Sequence, residues 1–316
     1  YKLLEHVAMP SQPSADGRRK WLVLALLAMA QFVVVLDASI VNVALPSIGK
    51  DLNFSQENLA WVVNAYVLTF GGFLLLGGRM ADLLGRRRVF IIGLIVFAAA
   101  SLAGGLAESE AQLVIARAVQ GLGAALLSPA ALSIVTNTFA EGSERNKALG
   151  VWGAVAGSGG AAGVLLGGVL TDGLGWQWVL YVNVPIGIVA ALLAPRLITE
   201  SRAEGSRTFD VAGAVTITAG LSVLVYALVD ANSAGWGSGQ TIGLLALAAA
   251  LHAAFVAIEL RTKAPLVPFR FFRNRTATGA NVVGLMTGAS LFSMFFFISL
   301  YLQQVLGYSP LKSGFA

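Results

Sequence analysis

Nine stretches of this sequence stay apolar for the length that a helix needs to cross a bilayer: roughly 21–45, 58–78, 89–107, 111–136, 149–171, 178–197, 211–230, 240–260 and 278–302. A helix rises 1.5 Å per residue, so about 20 residues match a hydrocarbon core of ~30 Å. Inside that core every backbone N–H and C=O must be satisfied within the chain, which leaves helices or closed barrels. A barrel would show short strands of alternating polarity, and no such pattern is visible. The expected fold is all-α: a polytopic transmembrane helix bundle with about nine spanning helices. Composition agrees. The 316 residues are 57% apolar and 12% charged, where soluble domains carry about a quarter charged residues.

Lysine and arginine set the orientation expected of such a bundle. With residues 1–20 in the cytoplasm, 18 of the 21 basic residues fall on that side: Lys2, Arg18, Arg19 and Lys20, then Arg79, Arg86, Arg87 and Arg88, then Arg145 and Lys147, then Arg196, Arg202 and Arg207, then Arg261, Lys263, Arg270, Arg273 and Arg275. Lys50 and Lys312 fall outside, and Arg117 lies within a span. This is the positive-inside pattern of a multi-pass cell-membrane protein with a cytoplasmic N-terminus. The formal charge of +5 therefore belongs to loops between spans, and nucleic acid is not an expected partner; membrane lipid is. There is no cysteine, and His6 and His252 stand far apart, so no metal centre is expected. His252, in the eighth span, reads as an interhelical polar residue or as a proton relay. No His/Asp/Glu cluster and no nucleophile–base pair stands at motif spacing, so the chain does not read as an enzyme. Gly157-Ser158-Gly159-Gly160-Ala161-Ala162 approximates a dinucleotide-binding glycine motif, but it lies inside a span rather than after a strand.

Two ionisable residues sit well inside spans, Asp37 in the first and Arg117 in the fourth. Each costs roughly 2.5–3.5 kcal/mol at a bilayer centre on insertion scales. Asp37 precedes Pro46, at the outer end of its span, by about 13 Å of helix; Arg117 follows Ala111 by about 9 Å. The two spans run antiparallel, so both charges lie at similar depth and can pair, directly or through water. Two readings stand: a static structural ion pair, or a protonatable acid that responds to a fixed cation and to substrate. Other polar or aromatic residues within spans, Gln31, Asn42, Asn64, Tyr66, Gln120, Asn281, Met294 and Phe295, are candidates for lining a cavity or for ordinary packing.

Between the second and third spans runs Gly78-Arg-Met-Ala-Asp82-Leu-Leu-Gly85-Arg86-Arg87-Arg88-Val-Phe90. Gly78 and Gly85 allow a turn or a close backbone approach, and Asp82 can pair with the arginines or cap a helix. The segment resembles the signature loop of the major facilitator superfamily of transporters. Leu36-Asp37-Ala38-Ser39-Ile40-Val41-Asn42-Val43-Ala44-Leu45-Pro46 is similar to the first-span motif of that superfamily's fourteen-span drug:proton antiporters. Leu113 to Ala125 resembles the superfamily's fourth-span motif, whose arginine is implicated in proton coupling. Trp176-Gln177-Trp178 followed by Val182-Asn183-Val184-Pro185-Ile186-Gly187 resembles the start of the sixth span, with Gln177 where the family usually has arginine. The fifth span carries Gly159, Gly163 and Gly167 on one helix face, with Gly168 beside them. Small residues there permit close helix packing. Together they resemble the exporters' motif Gly-x-x-x-Gly-Pro-x-x-Gly-Gly, with Val164 in place of the proline.

The resemblance implies a proton-coupled efflux transporter that exports small hydrophobic or cationic molecules by alternating access. Asp37 and Arg117 would couple protons, and Gly78, Asp82, Gly85, Arg86, Arg87 and Arg88 would form a conformational gate. The proton gradient would supply the energy, with no cofactor. An uptake carrier of the same superfamily and a non-transporting membrane protein are the alternatives. The implied organisation is a cytoplasmic tail (1–20), a first six-helix half (21–197), a cytoplasmic linker (198–209), two extra spans (210–260) and the start of an incomplete second half (261–316). The chain reads as a fragment of a longer protein. Within it, 261–276 alternates Arg with Pro and Phe. That stretch is either a membrane-interface segment, with Phe269, Phe271 and Phe272 buried and the arginines at headgroups, or a flexible loop.

Overall fold

The computed structural model describes residues 15–202, 210–262, 265–308 and 312. Most of the expected tail, residues 203–209 of the expected linker, and residues 263–264 lie outside the described residues. Among the described residues there are helices and no strand: α1 (Ala15–Asp51), α2 (Gln56–Leu59), α3 (Trp61–Leu84), α4 (Arg86–Gly105), α5 (Glu110–Thr138), α6 (Ser143–Leu174), α7 (Trp178–Tyr181), α8 (Asn183–Leu197), α9 (Val211–Ala234), α10 (Gly239–Glu259) and α11 (Arg275–Leu300). A 3-10 turn, Phe269–Arg273, precedes α11, and a π turn, Tyr301–Val305, follows it.

Eight helical stretches among the described residues are long and apolar enough to cross a membrane, and they match the first eight predicted segments. The ninth, 278–302, lies in α11 and its π turn. The sixth segment is helical but jointed at Val182, between α7 and α8. Pro185 has no N–H to bond the Tyr181 carbonyl one turn back, and its ring crowds that carbonyl. Helix starts follow from side-chain caps. Ser109 accepts from the Gln112 N–H, Asp210 from Gly213, Ser238 from Thr241, and Asn274 from Thr276 and Ala277. Each satisfies a donor that the first helical turn leaves free.

Packing divides the first eight helices into two tight groups. α5 lies between α3 and α4, and α1 runs along α6. α8 rests on α4 and α1, while the α9–α10 hairpin lies against α3. Glycines permit the closest approaches. A Cβ on Gly123 of α5 would stand 2.6 Å from the Phe97 nitrogen of α4, and one on Gly93 would stand 2.7 Å from the Leu127 nitrogen. The α6 ladder meets α1 in parallel register. Cβ atoms on Gly159, Gly163 and Gly167 would come within 2.9, 2.9 and 3.0 Å of the carbonyl oxygens of Phe32, Leu36 and Ile40. Gly168 is buried as well. Ser39 Oγ adds a hydrogen bond across the same seam, donating to the Gly160 carbonyl at 2.7 Å.

Two hydrophobic clusters fill this bundle. One gathers Val23 to Val34 of α1 with Phe90, Leu94, Phe97, Leu127, Ile134 and Phe139, toward the Gly85 end. The other gathers Ile40 to Ile48 with Val62, Leu113, Trp176, Val179 and Leu180, toward the opposite end. Asp37 falls between them on α1.

The ladder makes a stability prediction. Gly163→Leu places a side chain where Ser39 Cβ would stand 2.7 Å from its first atom, whereas Gly160, one turn away, meets nothing within 4 Å. Overpacking of that kind costs about 1–3 kcal/mol. Thermal unfolding of the purified chain in detergent should therefore show Gly163→Leu clearly destabilised and Gly160→Leu close to the parent. Equal melting temperatures would show that the α1–α6 seam is not closely packed.

Candidate functional site

The gap between the two apolar clusters is filled by a polar network drawn from five helices. Asp37 (α1) and Arg117 (α5) are 0% and 1% exposed, and Arg117 Nη1 donates to Asp37 Oδ2 at 2.5 Å. The other carboxylate oxygen, Oδ1, accepts from Gln120 Nε2 at 2.8 Å and from Asn183 Nδ2 at 2.7 Å. Both amides also donate to Ser101 Oγ, at 3.2 and 3.0 Å. Ser101 in turn donates to the Leu180 carbonyl at 2.8 Å. Arg117 Nη1 reaches Gln120 Oε1 at 2.7 Å, and its Nε donates to the Val62 carbonyl at 3.0 Å. Its guanidinium carbon lies 4.4 Å from the Tyr66 ring centroid, a cation–π contact. Tyr66 Oη donates to the Val34 carbonyl at 3.3 Å.

Local sequence explains the convergence. Arg117 and Gln120 are three apart on α5 and share a face. Asn183 opens α8 just past the joint at Val182, which turns its amide toward α1 and α4. Removing two charges from a polar medium is costly, and it is offset only when the remaining lone pairs are also bonded. Here the carboxylate is satisfied at both oxygens. Two groups are not: Arg117 Nη2 and Asn183 Oδ1 are buried with no hydrogen-bond partner. Each such orphan costs about 1–3 kcal/mol. A protonated Asp37 would become a donor and release Arg117 Nη1.

At the far end of α4 lies a second constellation. The expected loop is shorter than its motif: α3 continues to Leu84 and α4 starts at Arg86, so Gly85 alone separates the helices. Gly78, expected in the loop, is inside α3, where its Cβ position would lie 3.5 Å from Pro129 Cβ. Glycine is tolerated there because the neighbouring helix supplies the packing. Gly85 has φ +114°, a conformation that side chains disfavour, and a Cβ there would meet the Glu200 carboxyl at 2.7 Å. The first turn of α4 is Arg86-Arg87-Arg88, with no acid and no capping side chain, an arrangement that opposes the helix dipole. Glu200 supplies what is missing. Its Oε1 accepts from the Arg87 backbone N–H at 3.1 Å, and its Oε2 lies 3.8 and 3.7 Å from the Arg87 and Arg88 guanidinium Nε atoms. The Arg86 N–H donates to the Ser201 carbonyl at 3.0 Å, and Arg86 pairs with Asp82 at 3.0 Å.

The remaining predicted lining residues divide. Tyr66 and Gln120 are buried in the Asp37 network, where they contact the ion pair. Gln31 is half-buried and accepts from Ser128 Oγ at 2.5 Å. Asn64 is half-buried, and Asn42 is exposed, donating to the Ala38 carbonyl at 2.7 Å. Asn281 and Met294 are exposed on α11, away from the Asp37 network; the Phe295 side chain lies outside the described ones. His252 Nδ1 sits 2.7 Å from the Ala248 carbonyl, an intrahelical contact. Among the described residues no group of three or more His, Cys, Asp or Glu could hold a metal. Ser101 and Glu200 escaped sequence reasoning, and Asn183 was read only as part of a span start.

The model of the Major Facilitator Superfamily matches residues 27–316. The chain belongs to the Major Facilitator Superfamily. It is 44% identical over 314 residues to the puromycin resistance protein pur8 of Streptomyces alboniger, covering 98% of this chain and 62% of that protein. It is 47% identical to the cephamycin export protein CmcT of Amycolatopsis lactamdurans, covering 92% and 60%. With the multidrug transporter protein MdtP of Bacillus subtilis it shares 35% identity, over 95% of this chain and 56% of that protein. The chain thus spans a little over half the length of these relatives. Among solved structures, the POT family transporter PepTSo has the same fold, with a TM-score of 0.55 at 17% identity over 78% of this chain and 52% of that one.

Two measurements check this superfamily member's two constellations. In a double-mutant cycle of Asp37→Asn and Arg117→Gln, the interaction energy on unfolding should be about 0.5–3 kcal/mol, because each single change strands a buried partner; additivity would contradict the pairing. Glu200→Gln should speed amide hydrogen exchange at Arg87 by about 10- to 100-fold, as befits a charge-assisted bond of ~1.5–3 kcal/mol. Unchanged protection would show that Glu200 does not cap α4.

Proposed function

We propose that this chain works in a proton-driven exporter of small hydrophobic or cationic molecules. It would reside in the cell membrane with its N-terminus and the arginine loop in the cytoplasm. The observation that carries the reading is Asp37: a fully buried carboxylate whose partners Arg117, Gln120 and Asn183 are side chains free to re-pair. The printed names of the relatives, puromycin resistance and cephamycin export, support antibiotic-like cargo. The concentration of basic residues at the Gly85 end supports the sidedness.

In this mechanism Asp37 takes a proton while the site is open to the outer side, its hold on Arg117 weakens, and cargo leaves outward. The α1–α6 pair then shifts against the α3–α4–α5 trio to the inward-facing arrangement. There the proton departs to the cytoplasm, new cargo binds, and the site opens outward again. The proton gradient supplies the energy, and no cofactor takes part. The two halves of the transporter rock around a central site in the manner of alternating access.

The test is Asp37→Asn in the intact transporter, reconstituted in proteoliposomes with an imposed pH gradient. Asparagine keeps the shape and cannot titrate. Gradient-driven efflux of ethidium should fall to the level of empty vesicles, with the protein still inserted. Efflux at the parent rate, still dependent on the gradient, would remove Asp37 from the coupling role. Accumulation of substrate on the opposite side would make the protein an uptake carrier.

A further inference from the structure

The sixteen acidic residues of this chain all precede Leu260; from there to Ala316 the charges are Arg261, Lys263, Arg270, Arg273, Arg275 and Lys312. Three of them crowd a single ordered feature. Glu259, at the end of α10 and buried, accepts from the Leu266 and Val267 N–H groups at 3.2 and 2.8 Å. This ties the following segment to the hairpin. Phe269 then packs edge-on against Phe255 of α10, with ring centroids 6.5 Å apart. The segment is therefore a fixed 3-10 turn, Phe269–Arg273, and not a free loop.

Three residues per turn make the feature two-sided. Phe269 and Phe272 follow one another on one side, 6.2 Å apart, and Phe271 meets Phe272 at 5.8 Å. Arg270 and Arg273 share the adjoining side. Phe271 and Phe272 are nonetheless 49% and 46% exposed, and Arg270, Arg273 and Arg275 are exposed too. Among the described residues no carboxylate pairs with these three arginines. Asn274 already takes the first free N–H groups of α11, so Arg273 and Arg275 stand beside the positive end of a helix dipole with no local compensation. Nothing inside the described protein explains two bare phenylalanines among three unpaired cations. A membrane surface does: rings at the acyl boundary and guanidinium groups at lipid phosphates.

We propose that residues 268–275 are a membrane anchor that docks on anionic phospholipid headgroups. The anchor lies at the same end of the bundle as the arginine loop. The Asp210 end of α9 follows the chain that clasps Arg86 and Arg87, and Trp61, at the other end of α3, stacks on Tyr226 late in α9. On the proposed sidedness this is the cytoplasmic leaflet, where anionic lipid attracts basic segments. The anchor fixes the point where the hairpin hands the chain to α11, and its occupancy depends on the charge of the leaflet.

The absence of cysteine gives a clean experiment on the whole chain. Phe272→Cys carries a nitroxide, Glu141→Cys on an exposed turn serves as the aqueous reference, and Leu247→Cys on α10 as the hydrocarbon reference. Collision with oxygen and with a water-soluble nickel chelate is measured in vesicles of phosphatidylcholine and of phosphatidylcholine with phosphatidylglycerol. The label at 272 should take an intermediate depth in the anionic vesicles. Each arginine changed to glutamine, Arg270→Gln and Arg273→Gln, should lower the docked-to-undocked ratio about fivefold. A label at 272 that tracks Glu141→Cys in both vesicles would overturn the anchor. A label equally deep in both, and indifferent to the arginine changes, would overturn its selectivity for anionic lipid. Neither outcome touches Asp37 or the efflux reading.

Discussion

Side chains from the first, second, third, fourth and sixth spans meet at one buried ion pair. Asp37 and Arg117 sit where α1 crosses α5, with essentially no exposure, in the gap between two apolar clusters. A bare pair in that position would be a liability, because desolvation of two ions can exceed their attraction. The Gln120 and Asn183 amides offset part of that penalty for the carboxylate, held in turn by the Ser101 hydroxyl, and Tyr66 gives the guanidinium a π face. The cost that remains is concentrated on Arg117 Nη2 and Asn183 Oδ1.

How much of this could be read from the chain follows from which signals survive in an apolar background. A charge inside a span stands out, and helix rise alone put Asp37 and Arg117 at one depth. The spanning segments were equally visible, since length and hydropathy decide them. Uncharged amides do not stand out. Asn183 and Ser101 belong to the network only because α8 is jointed ahead of Pro185 and α4 presses on α5 through Gly93 and Gly123, and neither fact has a period in the sequence. Gln120 and Tyr66 were visible as polar residues, but the side on which they would find partners was not. Glu200 was hidden for another reason. It caps a helix more than a hundred residues earlier, and capping patterns can be read only when cap and helix are adjacent.

The arginine loop is constrained from more than one side. Gly85 is constrained twice, by its positive φ and by the Glu200 carboxyl lodged against it. The three arginines that begin α4 would oppose its dipole unless an acid were brought from elsewhere, and the chain beyond α8 brings one. The clasp joins the second, third and sixth spans at one end of the bundle. At the other end Trp176 Nε1 donates to Asp51 Oδ2 at 3.0 Å, joining the ends of the first and fifth spans.

The two kinds of contact in this bundle differ in what can change them. Glycine seams hold α1 to α6 and α5 to α3 and α4 by close backbone approach, with a neutral Ser39–Gly160 hydrogen bond on the first, so a change of charge does not act on them directly. The pair and the trio share the two apolar clusters, and the charged contact across that boundary is Asp37 on α1 with Arg117 on α5, with Gln120, Asn183 and Ser101 bonded into it. A change at that charged contact therefore falls on the boundary between the two groups, whereas a side chain added at Gly163 or Gly123 falls inside one of them, against a backbone that has no room for it.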